Sequence, residues 1–335
     1  MTTLMAREAA ETPAAIAAML RDNADRVAAL GNRLRTVPPP VVITCARGSS
    51  DHAATYGKYL LETLTGVPVA SAAPSVSSLY GTTPAVAGAL LIAVSQSGRS
   101  PDLLATVGAH KAAGAHVVAL VNDEDSPLAG LADTLLPLRA GPERAVAATK
   151  SCLTSLAGFA AIAAAWSGDA ALTAALPGLS NAVADALEAD WSGAVAPLVD
   201  AGGMFVLARG YGLGIAQEAA LKLKETSSIQ AEAFSAAEVR HGPMRIVEPG
   251  FPVLGFATSD AAGDDVAAIA AELAARGARV LVAGSGRDLP VRAGHPALEP
   301  VAMLASFYGL AEQLARARGC DPDRPPHLAK VTETL

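Results

Sequence analysis

Cysteine is nearly absent from this chain: three in 335 residues, Cys45, Cys152 and Cys320. An odd count without CxxC spacing gives neither a disulfide framework nor a zinc site, and points to a reduced, cytoplasmic setting. Aromatic residues make up only 4%, and basic charge is in deficit, with 25 Lys+Arg against 32 Asp+Glu and a formal net charge of −7. That balance excludes a nucleic-acid surface as the main role, because phosphate backbones demand clustered Lys and Arg. Long apolar runs are missing too. Mean hydropathy is +0.35, but it comes from Ala and Val. The longest apolar stretch, Leu156 to Trp166, is well short of the roughly 20 residues that span a bilayer and reads as a buried core helix. The first residues carry Glu8 and Glu11 and no apolar signal-type segment, so no membrane association is expected. What the chain has in quantity is apolar side chains, 51%. This excludes disorder for most of its length, and at about 100–200 residues per domain it suggests two domains.

The order of patterns along the chain indicates an α/β fold. Residues 4–35 read as helical, with a break at Asp22, Asn23 and Asp25, closed by the prolines at 38–40. A β-branched run from Val41 to Thr44 then leads into Gly48, Ser49 and Ser50 and a helix-like segment. A second apolar run, ALLIAVSQSGRS at 89–100, ends in Ser and Gly. It precedes a helix from Pro101 to Ala113 and a strand at 116–122. Apolar strands alternating with helices imply a parallel sheet covered on both faces. The pattern then repeats. ARG at 46–48 recurs at 208–210, an offset of 162. Ser95 matches Thr258, and Gly114 matches Gly277, both at 163. The chain therefore reads as two copies of one α/β unit of about 160 residues. The expected organisation is a helical leader at 1–35, a first domain at 36–175, a second at 176–320 with its leading helices, and a C-terminal tail at 321–335.

Each copy places a Gly/Ser-rich turn between a strand end and a helix start, where unpaired N–H groups and the helix dipole favour anions. Ser95, Ser97 and Ser100 add hydroxyls in one turn, with Gln96 beside them and Gly98 letting the backbone approach. Several hydroxyls without a lysine suit a sugar phosphate monoester. A nucleotide P-loop would need GxxxxGK[ST], which is absent, and Gly210, Gly212 and Gly214 give only GxGxG. A solvated loop is the alternative for one such turn. Two at equivalent strand ends favour binding, since ligands sit at carboxyl strand ends in open α/β sheets. A second dense region runs from 220 to 244. Lys222 and Glu225 share a helix face at i,i+3. His241 precedes Gly242-Pro243. Read alone, Lys222, Lys224 and Glu225 are equally a solvated face and His241 a loop residue. The tail, DPDRPPHLAKVTETL, holds prolines and an apolar Leu328-Ala329 before Lys330. It is either a charged, frayed end or a segment that delivers Lys330 as an amine to a carbonyl.

The combination ARGSSDHA, SQSGRS, ALKLKE followed by AEAFSAAEVRHGP, and DPDRPPHLAK resembles the tandem sugar isomerase (SIS) domain family over residues 20 to 330. That family includes the isomerase half of glutamine-dependent glucosamine-6-phosphate synthase and the stand-alone SIS-type glucosamine-6-phosphate deaminases and deglycases. The resemblance implies an α/β fold of two tandem SIS domains, each a parallel sheet flanked by helices. It implies a sugar-phosphate site formed by Ser95, Gln96, Ser97 and Ser100 with Gly48 and Ser50. It makes Glu225 the carboxylate that moves a proton between C1 and C2, with Lys222 beside it. It makes His241 the ring-opening histidine, contributed by the neighbouring subunit of a homodimer, and Lys330 the lysine that forms an imine with the open keto sugar. No metal or cofactor is expected. Ala148 stands where the synthase has a serine near the substrate, Arg99 where it has Glu, and Asp51-His52 follow Ser50 where it has an aromatic.

The wording of the motifs is most similar to the deaminases, and no glutaminase segment precedes Val41. The expected activity is therefore conversion of glucosamine 6-phosphate to fructose 6-phosphate and ammonia. The alternatives are a deglycase of a fructosamine 6-phosphate, a galactosamine-6-phosphate deaminase, or a non-catalytic sugar-phosphate sensor.

Overall fold

The computed structural model describes residues 2–292 and 294–330. Lys330 is thus the last described residue of the tail, and 331–335 lie outside the described residues. The leader forms three helices, α1 (Leu4–Ala10), α2 (Thr12–Asp22) and α3 (Ala24–Thr36). Thr3 caps α1, and both oxygens of Asp323 accept its first N–H groups, from Leu4 at 2.7 Å and Met5 at 2.8 Å. The next helix starts at Thr12-Pro13, where proline's missing N–H costs nothing. The expected break falls at Asn23, whose buried amide donates to the carbonyls of Met19 and Pro137, both at 2.8 Å. Such side-chain bonds compete with helix continuation.

The first repeat runs β1 (Val42–Cys45), α4 (Ser49–Thr65), β2 (Val69–Ser71), α5 (Pro74–Ser78), β3 (Leu90–Ser95), α6 (Pro101–Ala112), β4 (His116–Val121), α7 (Pro127–Leu131) and β5 (Thr134–Pro137). Then come α8 (Lys150–Ser167), α9 (Ala170–Ala175), α10 (Leu179–Leu187) and α11 (Val195–Leu198). The apolar stretch at 156–166 is the buried body of α8. Among the described residues, no helix is long and apolar enough to cross a membrane. The second repeat runs β6 (Gly203–Ala208), α12 (Leu213–Ser227), β7 (Gln230–Ser235), β8 (Pro252–Phe256), α13 (Ala261–Ala275), β9 (Arg279–Gly284), β10 (Leu289–Pro290) and α14 (Glu299–Ala317).

All strand pairs are parallel. The first sheet has the order β2-β1-β3-β4-β5, and the second β10-β9-β8-β6-β7. Read from its other edge, the second becomes β7-β6-β8-β9-β10, the same topology strand for strand. The duplication read from spacing is therefore a duplication of fold, as the tandem α/β expectation requires. Central strands are buried on both faces, Leu90–Val94 and Val117–Val121 throughout, which is why they read as continuous apolar runs.

The chain divides into two compact units that interleave in sequence. One comprises Met1–Pro13, Glu143–Leu153 and Gly178–Lys330. The other comprises Ala14–Pro142 and Thr154–Pro177. Hence α1 belongs with the second repeat, where it packs on α14. The helices α2 and α3 belong with the first. The first four residues of α8 are grouped with one unit and its remainder with the other.

Candidate active site

In the first repeat, β1 and β3 are neighbours, yet β1 leads through α4 to one side and β3 through α6 to the other. This is a topological switch point, where the loops leaving the carboxyl ends part and form a crevice. Gly48 turns the chain into α4 with φ +55°, ψ −132°, and nothing lies within 4 Å of where its β-carbon would be. Ser50 follows in the first turn of α4. Across the crevice, Ser95 Oγ accepts from the N–H of Gly98 at 2.9 Å, and Ser97 Oγ accepts from Arg99 at 3.4 Å. Gly98 takes φ +64°, and any β-carbon there would strike Ser126 Oγ. Ser95, Gln96 and Ser97 are half-buried, and the hydroxyl protons of Ser95 and Ser97 remain available to a ligand. Ser100 gives its own hydroxyl proton to Asp102 at 2.7 Å. The structure thus gathers Gly48, Ser50, Ser95, Gln96, Ser97 and Ser100 at one crevice.

Sequence reasoning passed over Arg47 and Asp102 at the same place. The Arg47 Nε donates to Asp102 at 2.9 Å, and a second guanidinium nitrogen bonds the same oxygen. Burial pushes the Asp102 carboxyl up. The bonds from Ser100 and Arg47, the Arg47 charge and the Leu103 N–H outweigh this and hold it below the usual carboxylate range. Asp51, half-buried in α4, is shifted upward by burial against the pull of His52 and Arg47. Arg99 is engaged with Asp123 at 2.7 Å on the surface.

The other unit holds Lys222, Glu225, His241 and Lys330. On α12, Lys222 is 1% exposed, so it is no solvated face residue, whereas Lys224 is exposed. Its ammonium lies 2.6 Å from Glu225 and 3.2 Å from Glu218. Burial would discharge it, but Glu218 and then Glu225 prevail and keep its pKa above that of an ordinary lysine. Glu218 also accepts from the Tyr308 hydroxyl at 3.2 Å. Of the two carboxylates beside Lys222, Glu225 is the one that reaches solvent, with its side chain 20% exposed. Glu225 is therefore a carboxylate fixed from behind by a permanent cation and open in front.

Lys330 is tied down within this unit. Its ammonium donates to the Ala145 carbonyl at 2.7 Å and lies 3.5 Å from the carboxylate of Glu143. Glu143 is buried and accepts from the N–H groups of Thr149 and Ser151 and from the Ser151 hydroxyl, at 3.0, 3.1 and 2.6 Å. Burial pushes its carboxyl up, but Lys330 and these donors bring it below the usual range. Ala148 is half-buried in the same segment. His241 ends the 3₁₀ turn Ala236–His241 and is exposed. Among the described residues, no hydrogen bond or ion pair joins it to Glu225 or Lys330. Glu218 could have been found one helical turn before Lys222. Glu143 lies 187 residues from Lys330 and Tyr308 lies 90 residues from Glu218, so neither carries a local signal.

A model of the SIS domain matches residues 40–165 and 197–285. The chain belongs to the SIS domain family. The SIS chain is 40% identical over 309 residues to the glutamine–fructose-6-phosphate aminotransferase (isomerizing) of Aeropyrum pernix, covering 85% of this chain and 49% of that protein. It is 35% identical to the corresponding protein of Halobacterium salinarum, covering 89% and 52%. It thus spans about half the length of these curated relatives. Among solved structures, it is similar to a proposed phosphosugar isomerase of Silicibacter pomeroyi at a TM-score of 0.90 and 44% identity, covering 96% of this chain and all of that one. It shares its fold with the glucosamine-6-phosphate deaminase of Thermotoga maritima, at a TM-score of 0.82 and 23% identity over 99% and 100% of the two chains.

Proposed function

We propose that this SIS protein is an amino-sugar phosphate deaminase that converts glucosamine 6-phosphate and water to fructose 6-phosphate and ammonia. The observation that carries the reading is Glu225, a solvent-reaching carboxylate backed by the buried, charged Lys222, in the same unit as the anchored amine of Lys330. The crevice hydroxyls of Ser95 and Ser97 receive the phosphate. His241 opens the sugar ring, and its exposure suits service to a second copy of the chain in a homodimer. Glu225 removes the C2 proton of the open aldose and returns it to C1, leaving a ketimine at C2. Lys330, once deprotonated, adds to that carbon and ammonia departs. Water then hydrolyses the lysine imine to release the ketose. Names of relatives that act on hexose 6-phosphates support the substrate class.

The test is ammonia release from glucosamine 6-phosphate by the purified chain. Glu225→Gln keeps the shape but removes the base, so turnover falls by about 10²–10⁴-fold. Borohydride with fructose 6-phosphate traps a covalent adduct that Lys330→Ala abolishes. Full activity in either variant overturns the mechanism. Ammonia release only from galactosamine 6-phosphate, or amine release only from a fructosamine 6-phosphate, keeps the mechanism and moves the substrate.

A further inference from the structure

The two repeats finish their equivalent strands differently. In the first, the loop after β3 keeps hydroxyls available and the space around Gly48 is open. In the second, Thr258 and Ser259 occupy the positions of Ser95 and Gln96, and Arg209 binds Asp265 as Arg47 binds Asp102. There the donors are already taken. Glu299, the first residue of α14, is 5% exposed. It accepts from the Ser259 N–H at 2.7 Å, the Ser259 hydroxyl at 2.6 Å and the Gly294 N–H at 2.9 Å. Thr258 donates its hydroxyl to Asp260 at 2.7 Å, and the same Asp260 oxygen accepts from the Gly263 N–H at 3.1 Å. The space is narrower as well: a β-carbon on Gly210, the counterpart of Gly48, would lie 3.2 Å from that of Ala262, whereas nothing lies within 4 Å of one on Gly48.

Three donors converging on one buried carboxylate are the coordination that a phosphate oxygen receives from a loop of this kind. We infer that Glu299 is a built-in occupant of the second repeat's anion site, so that the chain takes up one phosphate ester, in the first repeat, and that removing this carboxylate opens a second phosphate site. The inference rests on the phosphate-loop reading given under the proposed function. Ser259 and Gly294 are themselves exposed, so deleting Glu299 would leave their N–H groups and the Ser259 hydroxyl aimed at one point and open to an external anion of similar geometry. The Arg–Asp bridge, present in both repeats, is by the same comparison a brace between loop and helix and not a mark of the open site.

Equilibrium dialysis of the full chain against labelled inorganic phosphate tests this. The wild type should hold one equivalent. Ser97→Ala should weaken it at least tenfold, while Ser259→Ala changes it less than twofold. Glu299→Ala should gain a second equivalent that Ser259→Ala removes, and phosphate should raise its unfolding midpoint more than that of the wild type. Two equivalents in the wild type overturn the inference, as does a folded Glu299→Ala that gains none. Loss of the wild-type equivalent in Ser259→Ala overturns it too, without requiring any Glu299 variant to fold. A wild type that binds no phosphate, or binds it indifferently to Ser97→Ala, sinks the first-repeat phosphate loop instead. A gain in Glu299→Ala would then leave the sealed second site standing.

Discussion

Single side chains in this protein are set by what burial takes from them and what neighbours return. Cys45 is buried beside Asp102, and burial, with Asp102 adding to it, pushes its thiol up to about 12. At pH 8 only about one Cys45 in ten thousand is then a thiolate, the reactive form. Cys152 is likewise raised, by complete burial. A thiol reagent should therefore label one cysteine rapidly in the native chain, the partly exposed Cys320, and all three after unfolding. Fast native labelling of Cys45 would contradict the packing around β1. Asp102 gives a pH-dependent counterpart. Its folded pKa is depressed, so its contribution is present above the unfolded value of about 3.9 and is lost as pH falls through the lower folded value. Arg47→Ala should cost about 1–3 kcal/mol at pH 7 and much less at pH 3, measured by denaturant unfolding. An equal cost at both pH values would deny the charge-assisted bond. At this scale the sequence was legible where spacing carries geometry. Serines in one turn gather, and Lys222 and Glu225 at i,i+3 meet. It was silent on Glu143 and Tyr308, because nothing local says that a carboxylate or phenol will be carried by folding to a distant partner.

Helices and strands were legible from periodicity and from their terminators, and their close approaches were not. Asn23 ends α2 at the expected break, whereas the earlier break between α1 and α2, at Glu11, was not read from the chain. That Gly31 of α3 lies against α8 is visible only in the fold. A β-carbon on Gly31 would come 2.5 Å from the backbone oxygen of Ala165 and 2.7 Å from its carbonyl carbon. Backbone cannot rotate away as a side-chain tip can, so the helices must separate. Gly31→Ala should destabilise by about 1–3 kcal/mol, even though alanine is the better helix former. A thermal melt in which Gly31→Ala is as stable as the wild type would show that α3 sits further from α8. Gly57, whose β-carbon would meet the ring of Phe159 at 2.2 Å, is a milder case, because that ring is itself a side chain.

For the whole molecule, three offsets of 162 and 163 residues sufficed to read a duplication, since equal spacing of strand, turn and helix leaves few other folds. The allegiance of connecting segments was not legible. Contiguous stretches are the natural reading of a sequence, whereas a helix joins whichever core its apolar face meets. Thus 1–13 and 143–153 fall in with the second repeat. If His241 serves the site of a second copy, mixed dimers of Glu225→Gln and His241→Asn subunits should regain activity that neither homodimer has. Verified heterodimers without recovery would place a complete site in each chain. The interleaving also has a consequence for how the protein is made. The segments Ala14–Pro142 and Thr154–Pro177 of one unit have all left the ribosome once residue 177 has. In contrast, α1 is synthesised more than 300 residues ahead of Asp323, the carboxylate that caps it. At about 5–20 residues per second, α1 must wait roughly 15–60 s for its partner. Throughout translation it is a short amphipathic segment with its docking surface not yet in existence, open to chaperones and proteases that the finished chain no longer admits.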